Sequence, residues 1–197
     1  MVDPLGVELL PDCPTRRALL RTAGAGLAAG SSSLLAGCGG GSKAKKKLVS
    51  DPAVRQGDIA VLNKVLALEH TAIAAYTAGI PLLSGHARAA AAEFLGHELA
   101  HAEKLAATIR GAGGKPRPPQ ANYALGNPSD EAQVLRLLNV TESSLVNAYL
   151  IAIPKLAPGW LRAVAAGILA NEGQHISVLQ AVQGHPPAPA AFVTAVE

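Results

Sequence analysis

The chain repeats its own chemistry. A glutamate on an apolar helical stripe, a tyrosine seven residues later, an Ile-Pro pair at eleven and twelve, and then Glu-x-x-His occur as Glu69, Tyr76, Ile80, Pro81, Glu98 and His101, and again as Glu142, Tyr149, Ile153, Pro154, Glu172 and His175. The first glutamates are 73 residues apart, and the step from proline to the second glutamate is 17 residues in one copy and 18 in the other. This is an internal duplication. Neither half could cover its own apolar stripe, so the two copies must pack on each other, with equivalent residues meeting near a pseudo-twofold axis.

Each half reads as a helical hairpin. Asp51-Pro52 supplies an N-cap and a first-turn proline, after which Ile59, Leu62, Leu66, Glu69, Ile73, Tyr76 and Ile80 recur at three and four, predicting a first helix that ends near Pro81. Ser84-Gly85 opens a second helix to about Arg110, with Phe94, Glu98, His101, Leu105 and Ile109 on one stripe. Gly111 to Pro128 is dense in glycine and proline and long enough to cross a bundle from end to end. Ser129-Asp130-Glu131 starts a third helix carrying Val134, Leu138, Glu142, Leu145, Tyr149 and Ile153. Pro158-Gly159 begins a fourth, through Val164, Ile168, Glu172, His175 and Leu179 to about Gln183. With aromatics at only 3%, alanine and leucine must fill the core, which suits closely packed helices. The expected fold is all-α: a four-helix bundle over residues 51–183, two hairpins joined by one long crossover, followed by a packed, irregular Pro/Ala-rich extension over 184–197. That is the connectivity of ferritin-like bundles.

Seven residues advance a helix by about 700°, close to two full turns, so Glu69 projects with Tyr76 and Glu142 with Tyr149, toward the core. Glu98 with His101, and Glu172 with His175, share a face at i and i+3. Four buried carboxylates would repel one another unless protonated or neutralised. Lys64, Lys104, Lys155 and Arg162 fall off the stripes or at helix ends. Two divalent cations would balance four glutamates, with neutral imidazoles completing the shell. The repeat also sorts the remaining histidines. His97 has Asn171 as its counterpart and is set aside, His70 aligns with Ser143 and is read as off-face, and His86 and His185 are expected to be exposed at helix ends. Tyr76 and Tyr149 either fill core volume or donate to the ligating carboxylates and orient them.

One Glu, then Glu-x-x-His, then one Glu, then Glu-x-x-His on four successive helices resembles the di-iron or di-manganese carboxylate site of the ferritin-like superfamily, and in style the chain is similar to its exported, alanine-rich bacterial branch. The resemblance implies Glu69, Glu98, His101, Glu142, Glu172 and His175 as ligands of two Fe or Mn ions, with Glu98 and Glu142, or their mirror pair, as candidates to bridge; the sequence does not choose among the carboxylates. It implies ferroxidase or peroxidase/catalase-like chemistry on ferrous iron, oxygen or peroxide. The alternative is a metal-buffering or partner-binding bundle without turnover.

Residues 1–37 resemble a twin-arginine lipoprotein signal: Thr15-Arg16-Arg17-Ala18-Leu19-Leu20-Arg21, an Ala/Gly/Leu stretch from Ala23 to Ala36, then Leu35-Ala36-Gly37-Cys38 in the form of a lipobox. The apolar run is too short and glycine-rich to span a bilayer. Cleavage before Cys38 would leave that residue lipidated, and Cys13 would be lost with the signal, so no intramolecular disulfide could form. Residues 38–50 then read as a flexible Gly/Ser/Lys linker tethering the domain to the extracytoplasmic face of the bacterial membrane. The net charge of +3 is partly a local lysine run and gives no reason to expect nucleic acid. Apolar outer faces are compatible with a homodimer.

Overall fold

A computed structural model describes residues 51–189. The signal segment, Cys38, the linker up to Ser50 and residues 190–197 lie outside the described residues. Four helices carry the fold: α1 (Gln56–Gly79), α2 (Gly85–Gly111), α3 (Glu131–Ala152) and α4 (Gly159–Val182). Single 3-10 turns, Ile80–Leu82 and Ile153–Lys155, follow α1 and α3. Each has its Ile-Pro pair at the first two positions, where a missing proline N–H costs nothing. No strand occurs among the described residues, and the architecture is a four-helix bundle of two hairpins joined by the crossover 112–130.

The start of α1 differs from expectation. Arg55, not Asp51, is its N-cap, in a capping box with Asp58. Asp51 reaches instead to α4, accepting from the Gly159 N–H at 3.0 Å and the Trp160 N–H at 3.4 Å. The first turn of α4 follows Pro158 and has no side-chain cap of its own, so a carboxylate brought from the other hairpin satisfies its free N–H groups.

The hairpins are tied by a reciprocal pair of acids. Asp58 in the first turn of α1 accepts from the Ala157 N–H at 2.9 Å, just beyond the end of α3. Glu131 in the first turn of α3 accepts from the Ser84 N–H at 2.9 Å, just beyond the end of α1. Both acids and both donating N–H groups are 73 residues apart, and the pairing fixes α1 and α3 as antiparallel neighbours. At their contact Gly79 is buried against Val134.

Two apolar clusters fill the interior. One, toward the start of α1, contains Leu62, Leu66, Leu105, Ile109, Leu145, Leu161 and Ile168, and the other contains Tyr76, Phe94, Val134, Leu138 and Leu179. Polar residues lie between them. The crossover is pinned over α1 by Asn63, whose side chain donates to the Lys115 carbonyl at 3.1 Å and accepts from the Arg117 N–H. Gly184 to Pro189 is exposed, so this part of the extension is not packed as expected. The reason is composition: its three prolines offer no N–H groups, and with one alanine they supply little apolar bulk to hold it down.

Candidate metal centre

Between the two clusters, each helix sends one carboxylate inward. Glu69 from α1, Glu98 from α2, Glu142 from α3 and Glu172 from α4 are all 0% exposed. His101 and His175, one turn along α2 and α4 from their glutamates, aim Nδ1 at the same space. His101 Nδ1 lies 2.9 Å from Glu172, 3.7 Å from Glu69 and 4.0 Å from Glu98. His175 Nδ1 lies 3.2 Å from Glu98, 3.2 Å from Glu172 and 3.5 Å from Glu142. All six residues named from the sequence are therefore brought together.

Their donor atoms form two groups, Glu69, Glu98, His101 and Glu172 in one and Glu98, Glu142, Glu172 and His175 in the other, each with ligand atoms within 4.8 Å of one another. Glu98 and Glu172 belong to both. Of the six residues these two alone reach both groups, a distinction that spacing along the chain leaves open. The geometry follows from helix position. The Glu-x-x-His glutamates of α2 and α4 face each other between the two histidines, whereas Glu69 and Glu142 each reach only one group.

The two tyrosines sit across the axis from where a single hairpin would place them. Tyr149 donates its hydroxyl to Glu69 Oε1, and Tyr76 donates to Glu142 Oε1. Each tyrosine thus orients a carboxylate of the other hairpin. Burial, and then the charge of the adjacent glutamate, push both phenols well above their usual range, so both are neutral donors.

The electrostatics are those of a crowded acidic site. Burial is the largest influence on Glu98, Glu142, Glu172, His101 and His175. It lifts Glu98 to about 9, with Glu172, Glu142 and Glu69 adding to the rise. It lifts Glu142 to about 7. For Glu172 burial is outweighed by His101 and His175, and its carboxyl is held down at about 2. Burial also opposes charge on the imidazoles, but Glu172 and Glu69 raise His101 to about 10, and Glu142, Glu172 and Glu98 raise His175 to about 11. Protons here do the work of missing positive charge.

Protons do not satisfy the site. Of the nine buried side-chain polar atoms that make no aligned hydrogen bond among the described residues, eight belong to this set, close to one another but not in hydrogen-bonding geometry: Glu69 Oε2, both oxygens of Glu98 and of Glu172, Glu142 Oε2, and Nδ1 of both histidines. Buried polar atoms are normally paired, and a concentration of unpaired oxygen and imidazole donors around one space is the chemistry of a cation site. None of the four glutamates pairs with a lysine or arginine among the described residues. The donor set fits two divalent cations.

His97, set aside because its twin is Asn171, is part of this centre. Its Nδ1 lies 3.0 Å from Nε2 of His175, the two ring planes are within 9° with centroids 5.3 Å apart, so the rings meet edge to edge, and Phe94 stacks on the face of the same histidine with centroids 4.1 Å apart. Its i, i+4 relation to His101 is the signal the sequence carries, and the repeat, which pairs His97 with Asn171, masks it. His70 turns away from the site toward the Arg117 carbonyl, 3.3 Å distant, and His86 and His185 are exposed.

Comparison with known proteins agrees with this architecture. No curated protein sequence matches the chain. Among solved structures it is similar to a conserved hypothetical protein of Mycobacterium tuberculosis, rv2844, with 23% identity and a TM-score of 0.63 over 69% of this chain and 96% of that one. It is also similar to a ferritin-like, diiron-carboxylate protein of Bacillus anthracis, with 23% identity and a TM-score of 0.55 over 64% and 94%. Dps from Listeria monocytogenes shares the fold at 16% identity, with a TM-score of 0.57 over 68% and 97%. A family model described as "Ferritin-like domain" matches residues 57–185, nearly the whole bundle, and the chain belongs to that family.

Proposed function

We propose that the chain is a dinuclear metalloprotein of the iron or manganese type, acting on ferrous iron, oxygen or peroxide as a ferroxidase or a peroxidase/catalase-like oxidoreductase. The observation that carries this reading is the eight unpaired donor atoms around one buried space. Two Fe or Mn ions would supply there the redox capacity that carboxylates and imidazoles lack. Glu98 and Glu172 would be shared between them. Glu69 with His101, and Glu142 with His175, would complete the two ends. Tyr149 and Tyr76 hold the end carboxylates in place by donating from the opposite hairpin. Burial of all four glutamates excludes bulk water. The His101 side chain keeps 13% of its surface exposed against 1% for His175, so the His101 end of the centre lies nearer the surface. This is the side on which small oxidants or ferrous ions would enter.

The relative from Bacillus anthracis, described as a diiron-carboxylate protein, supports the choice of iron by analogy of fold. The test is metal analysis after reconstitution of the purified chain with Fe(II) or Mn(II), followed by stopped-flow absorbance with oxygen or peroxide. Two metals per chain and a transient on mixing are expected. Well under one metal per chain sinks the dinuclear reading, and two metals without turnover make the bundle a metal buffer.

The same proposal places the domain outside the cytoplasmic membrane, tethered through lipidated Cys38. Its support is the run from Arg16-Arg17 to Leu35-Ala36-Gly37-Cys38. Cys38→Ala should move the protein from the membrane to the soluble fraction, and an unchanged distribution would refute the anchor.

A further inference from the structure

We infer that His97 is a positioning residue that makes the two metal positions unequal, tightening the one at His175 by fixing that ring's orientation and tautomer. The inference rests on the dinuclear reading above and adds to it a residue outside the duplicated pattern.

His175 presents Nδ1 to Glu98, Glu142 and Glu172 and Nε2 to His97 Nδ1 at 3.0 Å. To lend its Nδ1 lone pair to a cation, His175 must carry its ring proton on Nε2, where the proton points at His97. His97 Nδ1 is then the acceptor, and the hydrogen bond selects the tautomer that ligation requires. Phe94, stacked on the face of the His175 ring with centroids 4.1 Å apart, limits its rotation. His175 is therefore held in the ligating orientation before any cation arrives.

His101 has no such support. The residue corresponding to His97 is Asn171, and no hydrogen bond links it to His101 among the described residues. The residue corresponding to Phe94 is Ile168, which cannot stack as an aromatic ring does. The His101 side chain also remains 13% exposed. Binding at His101 must order a freer ring, and binding at His175 does not. The duplication supplies two equal ligand sets, and His97 with Phe94 breaks their equality.

The test is a titration of the purified full-length chain with Co2+, followed by its d–d absorption, together with 15N NMR of the metal-free protein. Wild type should take up two Co2+ in two resolved steps. His97→Leu, which keeps bulk but removes the acceptor, should weaken the tighter step by about 10- to 100-fold and leave the weaker one. His97→Asn, whose Oδ1 falls near the place of Nδ1, should restore most of that loss, which a purely structural role would not predict. Asn171→Leu should change neither step. Identical titrations for wild type and His97→Leu, or a His97→Asn titration as weak as that of His97→Leu, would overturn the inference. So would the absence, in the metal-free protein, of a 15N–15N coupling across the His175 Nε2–H to His97 Nδ1 hydrogen bond. That coupling present with fewer than two Co2+ bound would overturn the dinuclear reading, and the affinity claim with it, while leaving the hydrogen bond standing.

Discussion

Tyr149→Phe isolates one interaction of the centre almost without side effects. Tyr149 is 0% exposed and its ring is packed in the first apolar cluster, so phenylalanine keeps the volume and opens no cavity of consequence. What disappears is the hydroxyl that donates to Glu69 Oε1. Glu69 Oε2 already lacks a partner, so the substitution leaves both oxygens of a fully buried carboxylate without a hydrogen bond. A hydrogen bond to a charged group contributes about 1.5–3 kcal/mol, and His101 Nδ1 at 3.7 Å is too far to replace it. The metal-free protein should therefore lose about 2 kcal/mol, which at about 2–4 °C per kcal/mol is a fall in Tm of about 4–8 °C. The assay is urea unfolding of chelator-treated protein, where the midpoint should drop with the slope unchanged. Tyr123→Phe is the control. Its hydroxyl accepts from the Gln120 N–H in the exposed crossover, and its loss should cost within about 0.5 kcal/mol. If Tyr149→Phe costs no more than Tyr123→Phe, the tyrosines are core filler and the argument for their orienting role fails.

Three further outcomes follow from the same geometry. In the metal-free protein His101 and His175 titrate at about 10 and about 11 instead of near 6.5, so the folded state holds protons that the unfolded chain releases as pH rises. Their stabilising contribution is complete below about pH 6.5 and is lost on the way to pH 10–11, with Glu98, raised to about 9, acting in the same direction above its unperturbed value near 4.5. Thermal melts of chelator-treated protein should therefore show Tm falling from pH 6.5 to 10, and a rising Tm would contradict the assignment. Metal affinity should show the opposite trend, because ligation releases those protons, and a metal titration that weakens between pH 6 and 8 would count against the ligand set. At the α1–α3 contact, a Cβ on Gly79 would lie 2.6 Å from Val134 Cγ1, so Gly79→Ala should cost about 1–3 kcal/mol in denaturant unfolding, and adding Val134→Ala should cost less than the sum of the two.

The duplication made the fold and the six converging side chains readable because it imposed two independent constraints on each position: helical period within a copy and identity of spacing between copies. A lone Glu-x-x-His on an amphipathic helix carries little information, but the same pair at the same offset from a second buried glutamate in both halves is hard to satisfy except by convergence on an axis. The constraint has a built-in blind spot. It discards whatever one copy has and the other lacks, so it discarded His97, whose contact is with the opposite hairpin and whose twin is Asn171. It was silent for a related reason on which carboxylates are shared. Spacing along one chain orders residues on their own helix, whereas sharing depends on how α2 and α4 face each other across the bundle. Asp51 shows the same limit at a helix end. Asp-Pro followed by apolar periodicity is a sound local start signal, yet the carboxylate caps α4, because the free N–H groups there had no local acceptor and α1 had its own cap in Arg55 and Asp58. In each case local pattern identified a residue with unmet chemistry, and tertiary packing decided what met it. Departures from the repeat are therefore where the two halves of this bundle become unequal, and His97, hydrogen-bonded to His175, and Phe94, stacked on it, are two departures on α2 that touch the centre.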